Sequence, residues 1–140
     1  DENGNKALPY IIHRTSLGNY ERTLAYLIEE YAGALPLWMM PTQVRVLPIT
    51  DRCHDYAEKV VERLSDAGIR VEGDYRSEKL GYKIRDAQMQ KIPYMLVVGD
   101  KEAESGNVSV RTRAGGDEGV MSVDDFMAKC LKEIAEKSRN

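Results

Sequence analysis

A chain of 140 residues fits one ordinary domain of roughly 100–200 residues, and its 20 Lys and Arg against 23 Asp and Glu leave a net charge of −3. At 42% hydrophobic and 31% charged residues the composition is globular and too apolar for a disordered chain. It excludes a globally basic nucleic-acid binder, so any such contact must come from a local patch. No apolar run approaches the roughly 18 residues of a membrane span. The opening Asp-Glu-Asn-Gly-Asn lacks the basic head and apolar core of a signal peptide. Cys53 and Cys130 make neither a disulfide framework nor a zinc-knuckle spacing, so a reducing cytoplasm is expected.

Along the chain, Asn3-Gly4 marks a turn, residues 9–14 (PYIIHR) a strand, and residues 17–31 an amphipathic helix. Leu17, Tyr20, Leu24, Leu27, Ile28 and Tyr31 share that helix's apolar face. Residues 33–41, with Trp38 and two methionines, read as a connection. One strand and one helix cannot bury each other adequately. Residues 1–40 are therefore expected to be the end of a larger domain that begins upstream.

From residue 41 the pattern alternates strand and helix. Residues 43–49 (QVRVLPI) read as a buried strand after Pro41. Thr50 or Asp51 can cap a helix to about Asp66, with Tyr56, Ala57, Val60, Val61 and Leu64 at helical spacing and Gly68 at its left-handed end. Residues 69–74 alternate as a strand with one wet face. A second helix over residues 77–91 carries Leu80, Ile84, Ala87 and Lys91 on one stripe and Lys79, Lys83, Asp86 and Gln90 on the polar one. Residues 94–99 (YMLVVG) form an apolar strand after Pro93. This βαβαβ run implies right-handed crossovers and a parallel core. Residues 107–113 then alternate Val108 and Val110 inward, Gly115-Gly116-Asp117 turns, and residues 119–121 return as a short antiparallel strand. Ser122 opens a last helix with Phe126, Met127, Cys130, Leu131 and Ile134 on one face. The expected fold is α/β, a mixed and mostly parallel five-stranded sheet with three flanking helices over 41–140, behind the strand-helix piece of 1–40.

Phosphate-loop and dinucleotide motifs are absent: there is no G-x-x-x-x-G-K-[ST], and the first strand-to-helix turn, Thr-Asp-Arg-Cys-His, has no glycine fingerprint. Cys53-His54 reads as a surface pair rather than metal ligands, since helical neighbours point about 100° apart. Cys130 reads as core. His13, alone on an apolar strand, is either structural or one ligand of a zinc site whose other ligands this chain does not supply. Arg22 is either solvated beside Glu21 or a charged fork for a phosphate or an adenine face. Arg76, Lys79, Lys83, Arg85, Arg111 and Arg113 cluster, with Tyr75 and Tyr82 between them. The cluster is either a solvated face or a surface that stacks and hydrogen-bonds unpaired RNA bases.

Whole strings carry a resemblance. His13-Arg-Thr-Ser-Leu-Gly-Asn-Tyr-Glu-Arg22, Tyr31-Ala-Gly-Ala-Leu-Pro-Leu-Trp38 and Pro41-x-Gln-Val44 are similar to motif 3 of class II synthetases and the connection after it. Ile49-Thr-Asp51, Gly68-Ile-Arg-Val-Glu72, Glu78-Lys-Leu-Gly-Tyr-Lys-Ile-Arg85, Pro93-Tyr-Met-Leu-Val-Val-Gly-Asp-Lys-Glu102 and Val110-Arg-Thr-Arg113 strongly resemble the C-terminal anticodon-binding domain of bacterial-type threonyl-tRNA synthetases. Essentially the whole chain is covered. Prolyl, glycyl and histidyl relatives share the domain type but match less well.

The resemblance implies the end of a class II catalytic domain over 1–40 and an anticodon-binding domain over 41–140. It implies that Arg22 contacts ATP and that His13 belongs to a Cys/His/His zinc set engaging threonine. Glu102 and Arg111 would read anticodon bases. Ser77 stands where the family often has Asn, which shortens or removes a base contact, and Asn19 replaces a commoner small residue near the ATP site. The implied full-length enzyme activates threonine with ATP, charges threonine tRNA, and dimerises mainly through its catalytic domain. This chain alone is expected to be inactive, to hold neither ATP nor zinc tightly, and to bind the anticodon stem-loop, with no DNA or membrane partner. The alternative is a free-standing RNA- or protein-interaction module reusing the same fold.

Overall fold

The computed structural model describes residues 1–15, 18–114 and 116–139. Leu17 of the expected first helix and Gly115 of the expected turn lie outside the described residues. The regular elements are α1 (Tyr20–Glu30), β1 (Val44–Pro48), α2 (His54–Asp66), β2 (Val71–Gly73), α3 (Leu80–Met89), β3 (Tyr94–Val98), α4 (Asp100–Ser105), β4 (Asn107–Thr112), β5 (Gly116–Ser122) and α5 (Val123–Ala135).

Every residue of β1 and β3 is buried, as near-continuous apolar runs demand of central parallel strands. The sheet order is β2-β1-β3-β4-β5, with β1 parallel to both β2 and β3, and β4 antiparallel to β3 and β5. The mixed α/β sheet is as expected, but it is not mostly parallel. Two pairings are parallel and two antiparallel. The chain between β3 and β4 holds only the short α4, closed by Gly106 at φ 71°, and so cannot make the long crossover a parallel return needs.

Two apolar layers clamp the sheet. Val44, Val46, Leu96, Val98, Val108 and Val110 pack with α2 and α5 through residues such as Leu64 and Phe126. On the other face Leu47, Met95 and Val97 pack with Ala87 of α3 and Ile92. Ser122 begins α5 as foreseen, its Oγ accepting from the Asp125 N–H at 3.1 Å. Cys130 is core, and burial pushes its thiol up to about 12. Leu131, placed on that helix's apolar face by sequence, is instead exposed.

Several expectations change. Residues 9–14 form no strand: Tyr10, Ile11 and Ile12 are almost fully exposed, because an extended segment needs a neighbour for its backbone groups. α1 forms but buries none of its residues. α3 is shorter than residues 77–91, Lys91, expected on its apolar stripe, lies beyond its end and is exposed, and Lys83 of the polar stripe is 2% exposed. α4 was not foreseen. β5 is longer than residues 119–121. The connection before β1 is packed rather than free. Leu35, Leu37 and Met40 are buried, Gln43 Nε2 donates to the Leu37 carbonyl at 2.8 Å, and Arg70 donates to the Trp38 and Met40 carbonyls. Among the described residues no helix is long and apolar enough to cross a membrane.

Candidate nucleic-acid interface

Parallel strands deliver their carboxyl ends to one edge, where loops are free to carry ligand-binding groups. Here β1 runs out into Ile49, Thr50 and the 3-10 turn Asp51–Cys53, β2 into residues 74–79, and β3 into Gly99 and α4. Ser77 stands exposed in the second loop and Glu102 half-buried at the head of the third. A pocket of about 250 Å3 lies between the first two loops, lined among others by Pro48, Thr50, His54, Ser77, Lys79 and Lys83.

Glu102 is held by its own turn: its Oε2 accepts the Gly99 N–H at 3.0 Å, the one half of a capping box that a glycine at the capping position can make. Gly99 permits this approach, because a Cβ there would lie 2.9 Å from Glu102 Oε2 and 3.0 Å from Ile49 Cδ1. Cys53, read from sequence as part of a surface pair, is buried; its Sγ donates to Asp100 Oδ1 at 3.4 Å and ties the first loop to the third. His54 is half-buried and meets the Tyr75 ring edge-on at 5.3 Å. No metal role is needed to explain that pair.

The basic cluster divides once side chains are placed. Arg76 donates to Asp74 at 2.8 and 2.6 Å and to Asp86 at 2.6 Å. Its guanidinium holds both carboxyls below their usual range. Arg113 donates to the Lys91 and Ala34 carbonyls, and burial lowers its pKa from the usual value. Lys83 is buried inside the fold. Lys79 and Arg85 are exposed, and Arg111 keeps about a third of its side chain exposed, 4.0 Å from Asp117. Of the two tyrosines, Tyr82 is exposed with Arg76 over its ring, while Tyr75 is half-buried and its hydroxyl pKa raised by burial. Tyr82 is the one available as a stacking platform.

Ser77 and Glu102 thus share the carboxyl edge. Arg111 does not sit beside them: it pairs in register with Met95 near the start of β3, whereas Glu102 follows the end of that strand. The two base-reading candidates lie toward opposite ends of β3, so one ligand contacting both must span the sheet. Arg22 and His13 lie in the segment before the sheet unit, both exposed. Asn19 caps α1, its Oδ1 accepting the Arg22 N–H at 3.3 Å. No three His, Cys, Asp or Glu among the described residues, His13 included, are grouped to hold a metal.

Sequence reasoning missed two features of the edge. Lys83 sits at a helical spacing of three and four from inward Leu80 and Ala87, which was a signal for burial that its charge masked. The Gly99-to-Glu102 interval carries the capping-box spacing, a signal for α4.

The chain is similar to the following proteins. The family model described as anticodon binding domain matches residues 43–133. The threonine–tRNA ligase of Clostridium botulinum (strain Eklund 17B / Type B) is 58% identical over 139 residues, which is 99% of this chain and 22% of that protein. The threonine–tRNA ligase of Clostridium perfringens (strain SM101 / Type A) is 57% identical over 137 residues, 98% of this chain and 21% of that protein. The crystal structure of the RNA-binding domain of threonyl-tRNA synthetase from Cryptosporidium parvum Iowa II superposes with a TM-score of 0.77 at 34% identity, covering 81% of this chain and 28% of that one. The chain spans about a fifth of the length of the curated relatives it matches.

Proposed function

Because this chain belongs to the anticodon binding domain family, we propose that it is the anticodon-binding carboxyl-terminal part of a threonine–tRNA ligase. The observation that carries this reading is the identity of 58% over 139 residues, running through the packed connection and the whole sheet unit alike. The full-length enzyme activates threonine with ATP and charges threonine tRNA in the cytoplasm, as a dimer joined through the domain that precedes this one. The alternative of a free-standing module has no observation in its favour.

Within the reading, Arg111 supplies a charged fork to a base edge or phosphate and Glu102 accepts from a base amino or imino group. Ser77 reaches less far toward a base than the Asn common in the family. Arg22 contacts ATP, and His13 completes a zinc set whose other members lie elsewhere in the full-length protein. Neither group has a full set of partners within this chain, so no chemical step is assigned to it.

The test is a titration of the chain and its Arg111→Ala variant against cognate and anticodon-swapped stem-loops at two salt concentrations. Discrimination that depends on Arg111 and affinity that falls with salt are expected. Equal affinity of the wild-type chain for cognate and swapped loops ends the reading.

A further inference from the structure

Between α1 and β1 the chain first turns sharply and is then held. Ala32 at φ 48° and Gly33 at φ 77° are both left-handed. They end the helix, with the Gly33 N–H donating to the Ile28 carbonyl and the Ala34 N–H to the Tyr31 carbonyl, each at 2.8 Å. Left-handed backbone is unfavourable for an alanine, so it persists where the structure on both sides over-determines it. Arg113 supplies the downstream hold. Its Nη2 donates to the Ala34 carbonyl at 2.9 Å, and its Nη1 to the Lys91 carbonyl behind α3 at 3.1 Å. A guanidinium presents its donors in a rigid fork, which suits it to bridge two backbone segments.

From Ala34 to β1 the connection is pinned at short intervals. Beyond the Ala34 carbonyl, the Leu37 carbonyl accepts from Gln43 Nε2, and those of Trp38 and Met40 accept from Arg70. Leu37 is fully buried between these points. A segment held this way is a rigid arm, whereas a flexible linker samples many end-to-end distances. Arg113 differs from the other two clamps in what lies beside it. It directly follows β4, its N–H carrying the ladder on to the Pro93 carbonyl at 3.1 Å. The base-reading candidate Arg111 stands two residues earlier, and strand alternation puts the pair on one face. At the other end of the arm, α1 carries the ATP candidate Arg22.

We propose that Arg113 is a positioning residue. By clamping Ala34 beside the left-handed turn, it fixes the orientation of the anticodon-binding unit to the domain upstream. An RNA gripped at Arg111 is then presented to that domain in one geometry, while Arg113 itself touches no RNA. The stiffness of the joint sets the effective concentration of the far end of the tRNA at the upstream site. The proposal rests on the reading of the chain as the carboxyl-terminal part of a threonine–tRNA ligase.

The test compares whole threonine tRNA with a minihelix of its acceptor arm, which has no anticodon arm, in the full-length ligase and its Arg113→Ala variant. The kcat/KM for whole tRNA should fall at least about tenfold, while that for the minihelix stays within about twofold of wild type. This chain, with and without the substitution, should bind the threonine anticodon stem-loop with affinities within about twofold of each other. A loss of stem-loop affinity that matches the loss in charging makes Arg113 an RNA contact and overturns the proposal. Undiminished charging of whole tRNA, or an equal loss on the minihelix, also overturns it. A second variant inserts two glycines between Gly33 and Ala34, which frees the turn and leaves the bonds from the Ala34 carbonyl onward in place. It must reproduce the same selective loss on whole tRNA, and it decides the matter if Arg113→Ala does not fold. An insertion without effect on whole tRNA overturns the proposal. The wild-type ligase separates the two levels: if it does not charge threonine tRNA, the functional reading fails and the clamp with it. If it does, and the variants treat both RNAs alike, the clamp alone fails.

Discussion

Glu102 meets two demands with one carboxylate, and the division between its oxygens decides how it responds to substitution. Oε2 is held by the Gly99 N–H, which fixes the side chain in one rotamer and leaves Oε1 for a base donor. Glu102→Gln keeps an oxygen for Gly99 but replaces the second acceptor by an amide donor, so it should reverse base preference with little loss of stability. Glu102→Ala should lose discrimination and also part of the α4 cap. Comparing both variants across a panel of anticodon loops, with melting curves alongside, separates the two roles. Nearby, Asp74 is 6% exposed and its carboxyl is lowered from the usual 3.8 by hydrogen bonds from Arg76. A lowered folded pKa gives stability that is fully present above the unfolded value and is lost as pH falls through the folded one. Unfolding by denaturant from pH 7 down to pH about 2 should therefore show an acid decline that is shallower in Asp74→Asn. An unchanged acid limb in that variant would mean that other carboxylates carry it.

Elements differed in how plainly the sequence announced them, and the reason is the number of physical signals each one carries. β1 and β3 are apolar runs bounded by proline or loop residues, and each lies between two strands that pair along it. Their identity and their sheet agree at every level. Residues 9–14 carry the same local signal but have no ladder partner among the described residues, so the pattern alone makes nothing. α4 was hidden because six residues are too few for a helical period; only its cap spacing marked it. The base-reading candidates were legible through resemblance, whereas the burial of Lys83 depends on loops brought together from different strands, and the contact between Gly99 and Glu102 is local to the start of α4. Gly99→Ala tests this element directly. The groups that a Cβ would meet are the ends of two flexible side chains, so the fold should survive with a loss under about 1 kcal/mol, while Glu102 is displaced and loop discrimination weakens. Gly73→Ala is the contrast. Its Cβ would fall 2.3 Å from the Tyr75 ring, a bulky group packed against His54, and the variant should lose about 1–3 kcal/mol. Equal melting losses for the two would show that the edge loops yield more than their packing suggests.

At the scale of the molecule, the question is where the independently folded unit starts. The family match begins at residue 43, and a boundary at residue 41 follows from the alternating pattern. Packing argues for an earlier one. Leu37 is fully buried within the main core, Leu35 and Met40 are buried beside it, and Arg113 Nη2 donates to the Ala34 carbonyl at 2.9 Å. Upstream of residue 33, by contrast, Leu8, Tyr10, Ile11, Ile12 and Tyr20 are exposed and α1 buries nothing. We propose residues 34–139 as the packed unit, with the preceding residues belonging to the adjoining domain. A chain starting at Ala34 should then melt as the full chain does. One starting at Pro41 should lose at least the cost of emptying the Leu37 site, about 2–5 kcal/mol as in large-to-small core substitutions. Leu37→Ala in the full chain should cost a similar amount, whereas Leu24→Ala and Ile11→Ala should stay within about 0.5 kcal/mol. The exposed upstream side chains have a second consequence, because contiguous apolar patches beyond about 300–600 Å2 seek a partner. Sedimentation should show the full chain self-associating as concentration rises and the chain from Ala34 remaining monomeric. If the two sediment alike and the chain from Pro41 is as stable as either, residues 34–40 are a passive connection and the unit begins where the first strand does.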